Sequence, residues 1–317
     1  MSNAFVFPGQ GSQTVGMGRE LAENMPVAAQ VFEEINDALG QDLSRIMFDG
    51  PQDELTLTQN AQPALMAVSV AVMRVLEKDF DIKLDQVASC VAGHSLGEYS
   101  ALAASGAIGL ADTARLLRLR GEAMQRAVPV GVGAMAALLG LDFDVAAEVA
   151  AEAAGEEVCT AANDNANGQV VISGHKAAVE RAIEIAKQRG AKRGILLPVS
   201  APFHCSLMQP AADEMAEALA ETTIMAPCVP VIANVTAAPE SDPENIRKYL
   251  VEQVTGRVRW RESILKMNEL GVDRVIEAGA GKVLTGMVRR ICRDMTGLSL
   301  QSPSDLENFA KAGDGNV

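Results

Sequence analysis

Hydrophobic and polar positions alternate between two regimes along this chain. Short apolar runs at 4–7 and 87–92 end abruptly, the first at Pro8-Gly9 and the second at Gly93. Runs of this length bounded by Gly or Pro predict buried strands. Longer stretches at 60–78, 96–104 and 111–128 place apolar residues every three or four positions, which predicts helices. From residue 133 the rhythm shortens. Apolar runs at 133–139, 158–162, 169–173 and 194–199 read as strands, with helical patterns at 142–154 and 176–189 between them. The segment 163–168, rich in Asn and Gly, reads as a turn. The order strand, helix, strand, strand, helix, strand is the ferredoxin-like unit, and it predicts a small inserted subdomain over 130–197. Beyond it, helices are predicted at 205–221, 243–253, 261–270 and 282–293, with strands at 229–235 and 272–278. The strand–helix alternation on both sides of the insert predicts one α/β core, built from 1–129 and 198–317, with a mainly parallel sheet. The polar end, 302–317, is expected to fray.

Composition narrows the functions such a fold could carry. The 317 residues include 27 Lys plus Arg against 41 Asp plus Glu, a formal charge of −14. That balance excludes broad binding to nucleic-acid phosphates. Apolar residues make up 48% of the chain and aromatic ones only 3%, so the core is aliphatic. Five cysteines in no C-x-x-C pair predict neither a disulfide framework nor a zinc site. The apolar stretch 61–76 contains Arg74 and is too short to span a bilayer. The opening residues carry no basic, apolar leader pattern. A cytoplasmic protein is expected.

Candidate chemistry starts at Gly93-His94-Ser95-Leu96-Gly97, a G-x-S-x-G motif between a predicted strand and a predicted helix. In that context the serine sits on a tight turn as an exposed nucleophile, and helix-start N–H groups can hold an oxyanion. The alternative is a serine that merely caps a helix. An activated serine needs a base, and the chain offers three histidines: His94, His175 and His204. His94 neighbours the serine and should point away from it. His175 reads as a helix cap in the insert. His204, at a strand-to-helix junction of the core, remains as the base, with a structural core histidine as the alternative. Cys205 lacks an elbow and reads as a packed small residue. No acidic third member stands out.

Arg120 lies in the apolar stripe of helix 111–128, with Leu116, Leu117, Ala123 and Met124. A buried guanidinium requires an anion, either a protein carboxylate or a carboxylate of the substrate held bidentately. The loop Gly9-Gln10-Gly11-Ser12-Gln13 fits neither dinucleotide nor phosphate-loop spacing. A loop of this kind after an early strand can instead supply an oxyanion N–H. No nucleotide or other cofactor signature is present.

Taken together, FVFPGQGSQ at 5–13, AGHSLGEYSALAASGA at 92–107, LRGEAMQRAVP at 119–129, GAMAALLG at 133–140, NGQVVISGH at 167–175, PVSAPFHCSLM at 198–208 and EAGAGKVLTGM at 277–287 resemble the malonyl-CoA:acyl carrier protein transacylase family. The resemblance implies an α/β-hydrolase-like core with a ferredoxin-like insert, Ser95 as the acylated nucleophile and His204 as its base. It implies an oxyanion hole from the backbone N–H groups of Gln10 and Leu96, and Arg120 as the clamp on the malonyl carboxylate. Gln253 matches a residue whose backbone carbonyl orients the histidine. Malonyl-CoA and an acidic acyl carrier protein are the implied partners, with no nucleic acid, no membrane, no metal and no cofactor, and a monomer is expected. The −14 chain then needs a local basic patch for the carrier. Arg189, Lys192, Arg193, Arg289 and Arg290 are the candidates, with ordinary solvated charges as the alternative. Phe203 before His204 resembles malonyl-selective acyltransferase domains and argues against a methylmalonyl role. Two other classes stay open at this point. One is a serine hydrolase on the same core, although hydrolases usually place the base later in the chain. The other is a binding module that keeps the fold without catalysis.

Overall fold

Phe5, Phe7, Ala4 and Val6 show why the first apolar run becomes a central strand. All four are fully buried, yet the phenylalanines face one core and Ala4 and Val6 face another. A strand apolar on both sides must lie between two layers. The computed structural model describes residues 2–312. It contains ten strands: β1 (Asn3–Phe7), β2 (Cys90–Gly93), β3 (Gly133–Leu139), β4 (Cys159–Ala166), β5 (Gln169–His175), β6 (Arg193–Leu196), β7 (Val231–Ile232), β8 (Pro239–Glu240), β9 (Arg274–Ala278) and β10 (Thr296–Leu300).

Six strands form one sheet in the order β10-β9-β1-β2-β7-β8, parallel throughout except for the edge strand β8. The helix Thr58–Phe80 covers one face and is buried nearly all round over its first five turns, which explains its apolar composition. The helices Trp260–Glu269 and Val283–Ile291 cover the other. No helix among the described residues is long and apolar enough to cross a membrane.

The remaining four strands form a separate antiparallel sheet, β4-β5-β3-β6, with the helices Phe143–Ala154 and Lys176–Gln188 packed on it. Polar contacts join this sheet to the first body. Asp164, 1% exposed at its side chain, accepts from Arg261 at 2.8 Å, and Asn163 bridges in parallel to Val258. The Arg257 guanidinium stacks over the Phe143 ring, 4.1 Å from its centre.

Several elements differ from the reading of the sequence. β4 runs on through Asn163, Asp164 and Asn165, where a turn is predicted; only Asn167 and Gly168 turn the chain. Asp164 and Asn165 stay in the strand because Arg261 and His94 satisfy them from elsewhere, and register shifts at Ala161/Asn163 and Asp164/Ala166 re-aim the segment. The strand expected at 229–235 shrinks to Val231–Ile232, and the helix expected from 205 begins at Gln209 after a short 3-10 turn. The chain end is also corrected. Residues 302–317 are expected to fray, yet Pro303–Lys311 is a helix. Ser302 and Asp305 cap it reciprocally, with Ser302 Oγ accepting the Asp305 N–H at 3.2 Å and the Asp305 carboxylate accepting the Ser302 N–H at 3.0 Å. Leu306 and Phe309 are buried, and the Phe309 ring meets Phe5 edge-on at 6.2 Å. The rest of the predicted tail, 313–317, lies outside the described residues.

Truncating Phe309 therefore tests whether this last helix belongs to the core. Phe309→Ala should lower unfolding stability by about 3 kcal/mol in urea titrations, as expected for an emptied aromatic site. A change below about 0.5 kcal/mol, typical of a surface position, would contradict that placement.

Candidate active site

β1 and β2 are adjacent and parallel, with Phe7 opposite Gly93, so the loops that follow them leave the sheet side by side. Their packing is tight. A Cβ on Gly93 would lie 1.8 Å from the Gly97 carbonyl carbon, and one on Gly97 would lie 2.2 Å from the Phe7 oxygen. Only glycine fits either position, because each neighbour is backbone and cannot move aside. Between them Ser95 adopts a left-handed φ of 54°, a strained conformation that lifts its side chain out of the turn. Asn234 braces this elbow. Its Oδ1 accepts the Ser95 N–H at 2.8 Å and its Nδ2 donates to the Gly93 oxygen at 2.7 Å.

Ser95 Oγ lies 2.8 Å from His204 Nε2. The other ring nitrogen, Nδ1, is 2.9 Å from the Gln253 carbonyl and 3.1 Å from that of Gly256. Carbonyls only accept, so Nδ1 carries the proton and Nε2 presents its lone pair to the serine hydroxyl. His204 is buried, and its φ of 60° is also left-handed. Burial, followed by repulsion from Arg120, pushes its pKa down to about 3. The imidazole is therefore neutral near pH 7 and free to accept a proton.

Arg120 is 1% exposed, and its partners are neutral. It donates to Gln62 Oε1 at 2.7 Å and Gln253 Oε1 at 2.8 Å, and reaches Ser95 Oγ at 3.3 Å. Among the described residues its buried Nε–H has no hydrogen-bond partner. The stripe around Arg120 suggested either a protein carboxylate or an external one; inside the fold the direct contacts are glutamines. Gln253 links Arg120, His204, Ser95 and Glu98. Besides its carbonyl on His204, its Nε2 donates to the Ser95 oxygen at 3.0 Å and to Glu98 Oε2 at 2.8 Å.

A cavity of about 450 Å³ opens onto Ser95, His204 and Arg120, and Gln10 and Leu96 line it. Among the described residues, the backbone N–H groups of Gln10 and Leu96 donate to no protein acceptor. Both are thus available to an oxygen in the cavity. Met124, Met135, Val171, Leu197 and Val199 make part of its wall apolar. This arrangement can form a covalent ester on Ser95, hold a developing oxyanion, and bind an anionic group beside the reacting carbon.

The remaining sequence candidates fall elsewhere. His94 turns away from Ser95; its Nε2 meets Asn165 Oδ1 at 2.8 Å and its ring packs near Trp260. His175 Nδ1 accepts the Val158 N–H at 2.9 Å within the second sheet. Cys205 is buried, its thiol donates to the Pro202 oxygen at 3.1 Å, and burial pushes its pKa up, so it is a poor nucleophile. Arg189 is paired with Glu148 and Glu152, whereas Lys192, Arg193, Arg289 and Arg290 are exposed. Sequence reasoning missed Gln62, Glu98, Asn163, Asn165, Asn234 and Gly256. Only Glu98 carried a signal, as a carboxylate in the first turn of the helix after the elbow.

Known proteins resemble this chain over nearly its whole length. Residues 4–305 match the acyl transferase domain family. The malonyl CoA-acyl carrier protein transacylase of Escherichia coli strain K12 is 48% identical over 301 residues, covering 95% of this chain and 96% of the relative. The crystal structure of an acyl-carrier-protein-S-malonyltransferase from Bartonella henselae superposes with a TM-score of 0.96 at 56% identity, over 98% of this chain and 99% of that one. A malonyl-transacylase solved in complex with its type II PKS acyl-carrier protein superposes with a TM-score of 0.95 at 42% identity, over 99% and 100% of the two chains. With both the domain and near-full-length relatives matched, the chain belongs to the malonyl-CoA:acyl carrier protein transacylase family of acyl transferases.

Proposed function

We propose that this chain transfers a malonyl group from malonyl-CoA to the phosphopantetheine thiol of an acyl carrier protein, for fatty acid synthesis, in two steps through a malonyl ester on Ser95. The observation that carries this reading is Arg120: a buried guanidinium 3.3 Å from the nucleophile, with only neutral hydrogen-bond partners. A hydrolase of neutral esters has no use for such a cation, whereas an acyl group ending in a carboxylate does.

In the first step Ser95 Oγ attacks the thioester carbon while His204 Nε2 takes the hydroxyl proton. The oxyanion rests on the N–H groups of Gln10 and Leu96. Collapse breaks the C–S bond, and the CoA sulfur leaves with the proton from His204. In the second step the carrier thiol gives its proton to His204 and attacks the ester carbon. The C–O bond breaks and Ser95 regains its proton. The Gln253 and Gly256 carbonyls stabilise the transient imidazolium in place of a carboxylate. Apolar walls limit water, which would otherwise hydrolyse the ester.

The finer architecture belongs to the same reading. The order β4-β5-β3-β6, with its two helices, supports a ferredoxin-like insert over 130–197 in an α/β-hydrolase-like core of 1–129 and 198–317. For the carrier, Lys192, Arg193, Arg289 and Arg290 are the docking cations, on a chain we take to act as a monomer. Packing supports a shared surface. Arg290 donates to Gln169 at 2.8 Å; next to Gln169, a Cβ on Gly168 would lie 3.6 Å from the Gly140 Cα, and one on Gly140 would meet the Lys192 side chain at 2.8 Å. Arg189 drops out because its glutamates neutralise it.

Mass spectrometry after exposure to malonyl-CoA should find a malonyl adduct on the parent protein and none on Ser95→Ala. An adduct surviving in the variant would move the nucleophile elsewhere. Arg120→Ala should lose malonyl transfer by roughly 100-fold or more, the loss of a charged hydrogen-bonded pair, while keeping or gaining acetyl transfer. Unchanged malonyl selectivity would sink the clamp. Charge reversal at Arg289 and Arg290 should raise KM for the carrier about tenfold and spare malonyl-CoA. Equal effects on both substrates would remove the patch.

A further inference from the structure

Among the buried ionisable groups the chemistry above leaves unused, Glu98 stands nearest the nucleophile in sequence. Glu98 is 2% exposed, in the first turn of the helix Gly97–Ala104 directly behind the nucleophile. Its Oε2 accepts two hydrogen bonds, from Gln253 Nε2 at 2.8 Å and from the Asn234 N–H at 3.1 Å. The same Gln253 side chain turns its oxygen to Arg120 at 2.8 Å. Carboxylate, amide and guanidinium thus form one hydrogen-bonded chain, with the amide N–H toward the carboxylate and its oxygen toward the guanidinium. Asn234 and Gln253, which hold Glu98, are also the residues that brace the elbow and orient His204.

We propose that Glu98 is the resident counter-charge of Arg120, relayed by the Gln253 amide, and that a carboxylate entering the Arg120 site drives a proton onto Glu98. The inference rests on Arg120 as the malonyl clamp. A buried guanidinium with neutral contacts needs a compensating anion before any substrate binds. Glu98 supplies it at one remove, and among the described residues the Arg120 Nε–H has no hydrogen-bond partner. When the malonyl carboxylate arrives, two anions would share one cation in a poorly solvated space. One of them then takes a proton, as in other close carboxylate pairs. The malonyl carboxylate touches the guanidinium directly and keeps its charge. Glu98, one amide further away, is the group that yields. Both donors that reach Glu98 converge on Oε2, so Oε1 is the oxygen left for the proton.

The other ionisable groups nearby do not compete. Tyr99, next along the helix, has its ring 5.7 Å from the Arg120 guanidinium and is pushed up to about 12 by burial. His204, which shares Gln253, is pushed down to about 3, and burial also lowers His94. Burial pushes Glu98 itself up to about 7, against the pull of Gln253, Asn234 and Arg120, so its proton exchanges near neutrality. Because binding a second anion favours protonated Glu98, malonyl binding should strengthen as pH falls and weaken as pH rises through 7.

Calorimetry on Ser95→Ala, which binds without reacting, tests this. Malonyl-CoA and acetyl-CoA are titrated at pH 7 in buffers of different ionisation enthalpy. Relative to acetyl-CoA, malonyl-CoA should take up about half a proton, and the added change Glu98→Gln should abolish that uptake. With Glu98 intact, the malonyl-over-acetyl affinity ratio should fall ~3-fold or more between pH 6 and pH 8, a readout that needs no folded Glu98 variant. Equal proton exchange with both thioesters and a pH-independent ratio, with malonyl-CoA still preferred, would overturn the role of Glu98 and leave the clamp standing. Equal affinity for the two thioesters at every pH would overturn the clamp, and this inference with it.

Discussion

A guanidinium buried beside a nucleophile is the constraint around which this molecule is arranged. Arg120 cannot be left bare, yet a direct protein carboxylate would occupy the space an acyl carboxylate needs. The fold resolves this with glutamines. Gln62 and Gln253 satisfy two of its donors without neutralising it, and the nearest compensating carboxylate, Glu98, sits behind an amide. The same electrostatics reach His204, where burial and the Arg120 charge both disfavour the imidazolium. On the proposed reading, a chain that repels anions overall, at −14, concentrates positive potential where the malonyl carboxylate would bind.

Gln253 shows how few residues carry this organisation. Its main chain holds the His204 tautomer, and its side chain links Arg120, the Ser95 carbonyl and Glu98. A backbone carbonyl in place of a triad carboxylate fits this site on electrostatic grounds. On the proposed reading, a second fixed anion on the histidine would compete with Glu98 and the substrate for the Arg120 cation. Strain is stored alongside, in the left-handed backbones of Ser95 and His204, and it is held by Asn234 and by glycine-only contacts between two loops.

The second sheet matters through its polar strand. Asn163, Asp164 and Asn165 read as turn residues, because isolated Asn and Asp favour turns. In the fold each finds a partner: Val258 bridges Asn163, Arg261 pairs with Asp164, and His94 meets Asn165. Tertiary hydrogen bonds override the local preference and bring this strand to the mouth of the cavity. The last helix was missed for the opposite reason. Two buried side chains, Leu306 and Phe309, suffice to hold a short polar segment once Phe5 offers a surface.

By itself the sequence determined the local pieces: strands that break at glycine, the elbow around Ser95, the anomalous Arg120 and one histidine at a core junction. Each is a short-range pattern of spacing, propensity or chemical oddity, readable without knowing the fold. Only the tertiary structure decided the distances that make them a site. Ser95 and His204 are 109 positions apart, and Arg120 and Gln253 are 133 apart, yet each pair meets at 2.8 Å. Gln62, Asn234 and Gly256 carry no local signal that marks them, and Glu98 only its place in a first helical turn, because their roles consist of hydrogen bonds to residues far along the chain. A parallel sheet brings such segments together at the ends of its strands, and which groups meet there depends on strand order, which local patterns do not encode.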